Sequence, residues 1–280
     1  MTQKAIAPRC CYAMQLGDCS GSLNREHFVS KHLLKEFEEA GKVKVTGYPH
    51  GNDTGQFVMS VESMSAKVLC ESHNSRLSEV DTQGCHFLSA FFAAHSNLLA
   101  ETVTTDQTYE FDGPIIERWM LKAACGLIAS GQAGIGTKRI EKTTPPLEFL
   151  QVLFGLETFP SEWGLYTRPT TPVGFSDKKN FGLGLYVPLQ PNGTRQLWGV
   201  KLEHYGFTSI LALKTPQQPF QGTDLDGAFH HPEFFRFVYS PTGRSVTIRV
   251  KWPEPLVGSG FVIDLHKGGP PNHALQQTAA

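Results

Sequence analysis

A chain of 280 residues, 40% of them apolar, is long enough for two packed cores, and its formal net charge of −1 excludes a globally basic nucleic-acid binder. No apolar run approaches the roughly 20 residues of a membrane-spanning helix, and "MTQKAIAPRCCYAM" lacks the apolar stretch of a secretory signal, so the expected location is cytoplasmic. Six cysteines in such a chain point to thiols, some of them on metal, rather than to a disulfide framework.

Cys10, Cys11, Cys19, Cys70 and Cys85 all fall in the first hundred residues. After Glu26-His27, "SKHLLKEFEEAG" carries Leu33, Leu34 and Phe37 at helical spacing and ends at Gly41. "KVKVTGYPHGNDTGQFVMSVES" predicts two short strands around a Gly/Asn/Asp turn. From Asn74, "NSRLSEVDTQGCHFLSAFFAAHSNLLAE" predicts helix with an interruption near Gly84. The polar patch "TVTTDQTYEFDGP" reads as a boundary, and Asp112-Gly113-Pro114 opens the helix "IIERWMLKAACGLIAS". "PLEFLQVLFGL" predicts another helix. Beyond Pro160 the period changes to that of strands: "FGLGLYVPL", "LWGVKLEHYGFTSILALK", "FFRFVYS", "SVTIRVKW" and "GFVIDL", with "SPTGRS" as a hairpin turn. The tail "HKGGPPNHALQQTAA" has no periodicity and is expected to be disordered. The expected organisation is an α+β protein: an N-terminal unit over 1–104, a helix-then-strand α+β domain over 105–265, and a disordered tail over 266–280.

Two stretches carry chemistry. "SLNREHFVSKHLL" places Glu26 directly before His27, and "VLCESHNSRLSEVD" places Cys70, His73 and Asn74 within five positions. Hydrolysis of a phosphodiester needs an activated water and a cation that neutralises charge on phosphate and leaving oxygen. An imidazole suits the first task because its pKa lies near neutral pH. A carboxylate with an amide oxygen suits the second.

In this order and spacing the two stretches resemble the HNH endonucleases of the ββα-metal class, over roughly residues 8 to 85. "EHFVSK" matches the first family element and "LCESHNSRLS" the second, with His73 in place of the second cysteine and Ser65 where the family's middle asparagine stands. The resemblance implies a metal-dependent nuclease in which His27 is the general base. It also implies that Glu26 and Asn74 hold a catalytic Mg²⁺ or Mn²⁺, while Cys70 and His73, with Cys19 and either Cys11 or Cys10, hold a structural Zn²⁺ in a zinc knuckle. The implied partner is nucleic acid, DNA before RNA.

Plainer readings stand beside these. Cys85 and Cys125 sit in apolar helical surroundings and read as core thiols. His32 reads as a helix-surface residue, and His230 and His231 in "FHHPEFF" as loop packing. Arg25, Lys31, Lys35, Arg76, Lys42 and Lys44 could contact phosphates or simply be solvated. From a different class comes a zinc-stapled binding protein without catalysis, whose C-terminal domain carries the function.

Overall fold

The computed structural model describes residues 11–38, 40–46, 56–132, 134–135, 138–139, 141–161, 163–169, 181–186, 197–213, 225, 227–254, 258–265 and 272–277. The first part of the chain forms β1 (Leu23–His27), the short helix α1 (Lys31–Glu36), the paired strands β2 (Val43–Thr46) and β3 (Gln56–Met59), then β4 (Ser65–Cys70). β1 and β4 pair antiparallel, and β4 runs directly into α2 (Glu71–Arg76). A single non-helical residue, Leu77, separates α2 from the long helix α3 (Ser78–Leu99). The interruption expected at Gly84 is absent, and that glycine has another purpose. A Cβ there would lie 2.1 Å from the Trp119 ring, so Gly84 lets the next long helix approach α3 closely.

That next helix follows β5 (Gln107–Asp112) and is α4 (Gly113–Ser130). Asp112 caps it by accepting a bond from Ile115 N at 3.1 Å, Pro114 occupies the first turn, and Gly131 at φ 63° ends it. Nearly every residue of α4 is buried, including Glu117 and Lys122, as suits a helix running through a core. The ribbon of β6 (Gly134–Ile135) and β7 (Lys138–Arg139) leads to α5 (Leu147–Leu153).

The remaining strands are β8 (Gly164–Pro169), β9 (Phe181–Tyr186), β10 (Gly199–His204), β11 (Phe207–Ala212), β12 (Phe229–His230), β13 (Phe234–Tyr239), β14 (Arg244–Lys251), β15 (Ser259–Leu265) and β16 (Asn272–Gln277). One five-stranded antiparallel sheet has the order β12-β8-β11-β10-β9. The other is mixed, in the order β16-β15-β13-β14-β5, with the turn after Tyr239 joining β13 to β14 as the hairpin read from "SPTGRS". α3 packs on β13 and β14, α4 on β10 and β11, and α3 on α4. Phe91 of α3 meets Phe207 of one sheet and Phe235 and Phe237 of the other, all edge-on at 4.9–6.1 Å.

The architecture is mixed α+β, as expected, but it does not divide where the polar patch suggested. Buried apolar residues from both sides of position 104 form one connected core. A Cβ on Gly126 of α4 would come within 2.7 Å of the Phe28 ring, so α4 is packed into the N-terminal part. The patch itself contributes β5, parallel to β14, with Phe111 turned inward and its polar residues outward. An edge strand needs only one apolar face, which is why it read as a linker. Part of the tail expected to be disordered is also ordered: β16 pairs antiparallel with β15.

Candidate metal centre and the adjoining His27 site

Cys70 ends β4 and occupies the N-cap position of α2, and His73 lies one helical turn further on. That i, i+3 spacing turns both side chains to one side of the helix start. The upstream loop is brought to the same place by main-chain bonds: Tyr12 N to Val68 O at 2.9 Å, Ser72 N to Ser20 O at 3.4 Å and Glu71 N to Ser22 O at 3.0 Å. Between Cys11 and Cys19 the chain makes a 3-10 turn at Met14–Leu16, and then reverses through Gly17 and Asp18, both at positive φ. The long gap between the cysteines is therefore taken up as a compact turn.

Cys11, Cys19, Cys70 and His73 offer ligand atoms that all lie within 4.8 Å of one another. His73 Nδ1 lies 3.4 Å from Cys11 Sγ, 3.6 Å from Cys19 Sγ and 3.2 Å from Cys70 Sγ. Two tetrahedral zinc ligands, a sulfur at about 2.3 Å and a nitrogen at about 2.0 Å, stand about 3.5 Å apart. The Cys₃His group can thus hold a metal such as zinc. Cys10, the other candidate for the first position, lies outside the described residues; the five described cysteines form no disulfide.

The electrostatics of the four candidate ligands differ. Burial pushes the Cys11 thiol up to about 12, while the Cys70 thiol is lowered because the N–H groups of His73 and Ser20 and the neighbouring thiols outweigh its own desolvation. Burial, with Arg76 nearby, lowers His73, so its imidazole is neutral and free to donate a lone pair. The ring of His73 meets Phe154, just past α5, edge-on at 5.1 Å, and the Arg76 guanidinium lies 5.0 Å from the same Phe154 ring. The Cys₃His group is consequently covered by a residue from the second half of the chain.

At the other end of the β1–β4 hairpin, Glu26 and His27 occupy the last positions of β1, opposite Ala66 and Ser65. Ser65 Oγ donates to Glu62 O at 2.6 Å and accepts from the Arg25 guanidinium at 3.3 Å, closing the turn beside His27. Neighbouring strand residues face opposite sides, and here the difference is large. Glu26 is buried and ion-paired with Lys122 of α4, whose ammonium also lies 2.6 Å from Asp81 Oδ1 and 3.3 Å from His27 O. Burial raises the Glu26 carboxyl despite Lys122, and the two carboxylates more than offset desolvation to keep Lys122 protonated. Burial raises the Tyr12 hydroxyl well above its ordinary range, and the nearby carboxylates of Glu26 and Asp81 add to that; this hydroxyl has no hydrogen-bond partner among the described residues.

His27 faces the other way. Its side chain is 15% exposed, and Nε2 stands 3.8 Å from Glu62 Oε2, too far for a hydrogen bond. Glu62 is bridged to Lys31 at 2.5 Å. Burial lowers the His27 pKa, with Glu62 opposing, so the ring is neutral at neutral pH. Asn74 lies in α2, half-buried, next to the candidate metal ligand His73.

The remaining candidates fall as follows. Cys85 and Cys125 are buried core thiols, both raised by desolvation. His32 is exposed on α1 beside Glu36. His231 bonds the buried Glu117 at 2.9 Å and stacks on Trp252 at 4.0 Å, and His230 stacks on His231 at 3.7 Å, so this pair clamps β12 to α4. Sequence reasoning missed Glu62, Asp81 and Lys122. Lys122 had a signal, a charge inside the apolar run "WMLKAACGLI", which a core helix does not carry without buried partners.

No family model, curated protein or solved structure matches this chain.

Proposed function

We propose that this chain is a nuclease of the ββα-metal kind, acting on nucleic acid, DNA before RNA. The observation that carries the reading is the hairpin itself. β1 and β4 pair antiparallel and lead straight into α2, with the Cys₃His group at the Leu23–Cys70 end and His27 at the opposite end. In this proposal zinc staples the helix start to the upstream loop, and His27, neutral through burial, accepts the proton of the attacking water. Glu62 lies close enough to stabilise the imidazolium that results, and Lys31, bridged to Glu62, supplies a cation for a phosphate oxygen.

The Mg²⁺ or Mn²⁺ implied by the resemblance fits less well. Glu26, its expected ligand with Asn74, is buried and already held by Lys122. The same pairing favours a second reading, a zinc-stapled binding protein without catalysis, in which Glu26 is simply one half of a buried ion pair.

Cleavage of plasmid, linear duplex, single-stranded DNA and RNA, with each divalent metal in turn, separates the two. On the nuclease reading His27→Ala lowers the rate about 10²- to 10⁴-fold, while binding largely survives because phosphate contacts supply most affinity. Activity in His27→Ala equal to the parent's refutes His27 as the base. Binding without cleavage by the parent supports the second reading.

A further inference from the structure

Lys122 is a charged group buried in the core that the reaction just proposed leaves unused. Its side chain is 1% exposed, and each of its partners lies on an element that frames the His27 site. It pairs with the carboxylate of Glu26 on β1 and with that of Asp81 on α3 at 2.6 Å, and it donates to the main-chain carbonyl of His27 at 3.3 Å. Replacing a buried ion cluster by well-packed apolar side chains is often neutral or stabilising. Stability alone therefore gives no reason for an ammonium in the middle of α4. Position does. β1 ends at His27, and the next main-chain tie is Phe28 N to Met64 O at 3.1 Å. Glu26 and His27 face opposite sides of the strand, so a single donor that grips one side chain and the neighbouring carbonyl fixes the height and the twist of the strand end together.

We infer that Lys122 is the positioning residue of the His27 site: reaching from α4, it holds the end of β1 against α3 so that the imidazole is presented at a fixed place. This rests on the nuclease reading for its catalytic consequence and on geometry alone for its structural one. Asp81, whose side chain is 30% exposed, shares the ammonium and links that hold to the first turn of α3, where Ser30 Oγ also donates to Asp81 O at 3.0 Å. A general base displaced by about 1 Å loses on the order of 10²-fold in rate even when binding is intact.

The test uses the full zinc-loaded chain, comparing the parent with Lys122→Met. The substrate is whichever of plasmid, linear duplex, single-stranded DNA or RNA the parent cleaves. The expected result is a kcat lower by about 10- to 100-fold with KM changed less than about threefold, and a partial return of kcat in Lys122→Arg. Amide hydrogen exchange is read in parallel, without substrate. In Lys122→Met the Phe28 amide should exchange at least about tenfold faster, while amides of β13 and β14 keep the parent's rates. A variant that is merely less stable would speed exchange across the whole core instead. Should Lys122→Met fail to fold, the double variant Lys122→Gln with Asp81→Asn removes opposite charges together and is held to the same two readouts. Parent-like kcat, or parent-like exchange at Phe28 in a folded variant, overturns the inference. If the parent cleaves none of the four substrates, the nuclease reading fails, and the exchange result alone still decides whether Lys122 holds the strand end.

Discussion

Removing the metal should unfold the whole chain rather than its first third. Three sulfurs lie 3.2–3.6 Å from the His73 Nδ1 atom, and without a cation the main-chain bonds of the loop must hold this crowded group together without the ligand bonds. Structural zinc sites in small peptides contribute an apparent ~10–16 kcal/mol at pH 7, comparable with the ~5–15 kcal/mol that separates a whole domain from its unfolded state. The core is continuous, with Phe154 packed on His73 and Phe28 under α4, so the loss should propagate. The assay is elemental analysis of protein purified without chelators, then a chelator titration followed by tryptophan fluorescence and far-ultraviolet circular dichroism. Trp119 and Trp163 are buried in the shared core and report on its second half. One zinc per chain and coincident transitions are expected, and Cys70→Ser should behave like the chelated parent. The sign of the pH effect follows from the thiols. Cys11 is held up to about 12 in the absence of metal, so zinc must displace its proton, and affinity should rise with pH across the neutral range. Zinc-free protein that melts within one or two degrees of the loaded form would refute the reasoning.

Other expectations are simpler. Gly84→Ala should cost about 2–3 kcal/mol by driving a methyl group into the Trp119 ring, lowering Tm by roughly 4–10 °C; an unchanged melting curve would show that α3 and α4 can separate freely. His204, enclosed by Phe91 and Phe207, is pushed down to about 3 by burial. The folded state therefore refuses a proton that the unfolded state accepts below about pH 6.5, and this group's share of stability is lost as pH falls from there toward 3. The loss approaches roughly 4–5 kcal/mol. His204→Phe should narrow the stability gap to the parent, or reverse it, across that window, and a gap that does not change with pH would sink the assignment.

Local chemistry was legible in the sequence and long-range pairing was not. The cap at Asp112, the strands β9, β10, β11, β13, β14 and β15 and the turn after Tyr239 follow from patterns spanning a few residues, whereas β8, β12 and β16 carried no such pattern. The Cys₃His group was readable through the resemblance to the ββα-metal pattern, which sets Cys70 and His73 at the helix start with the upstream cysteines. Gly84 misled because a glycine within a helix looks like a break, whereas its reason lies in a tryptophan on another helix. Gln107–Asp112 misled for the same kind of reason: its partner strand lies in the last quarter of the chain. Glu26 shows the limit most plainly. Beside His27 it reads as a metal ligand, and only the folded chain brings Lys122 to it.

The pairing of β5 with β14 also bears on how the protein is made. Asp106 accepts a bond from the main chain of Ser245, 139 positions later, so this edge cannot close until most of the polypeptide has left the ribosome. At about 5–20 residues per second, that is on the order of ten seconds. The ligands Cys11, Cys19, Cys70 and His73 emerge well before then and can load metal early. α3 and α4, by contrast, wait through that interval with the faces that β10, β11, β13 and β14 will cover still open to solvent. A message cut short, or a ribosome stalled before β14, would release a chain with a loaded metal loop and two sticky helices. Such a product invites aggregation or a protease.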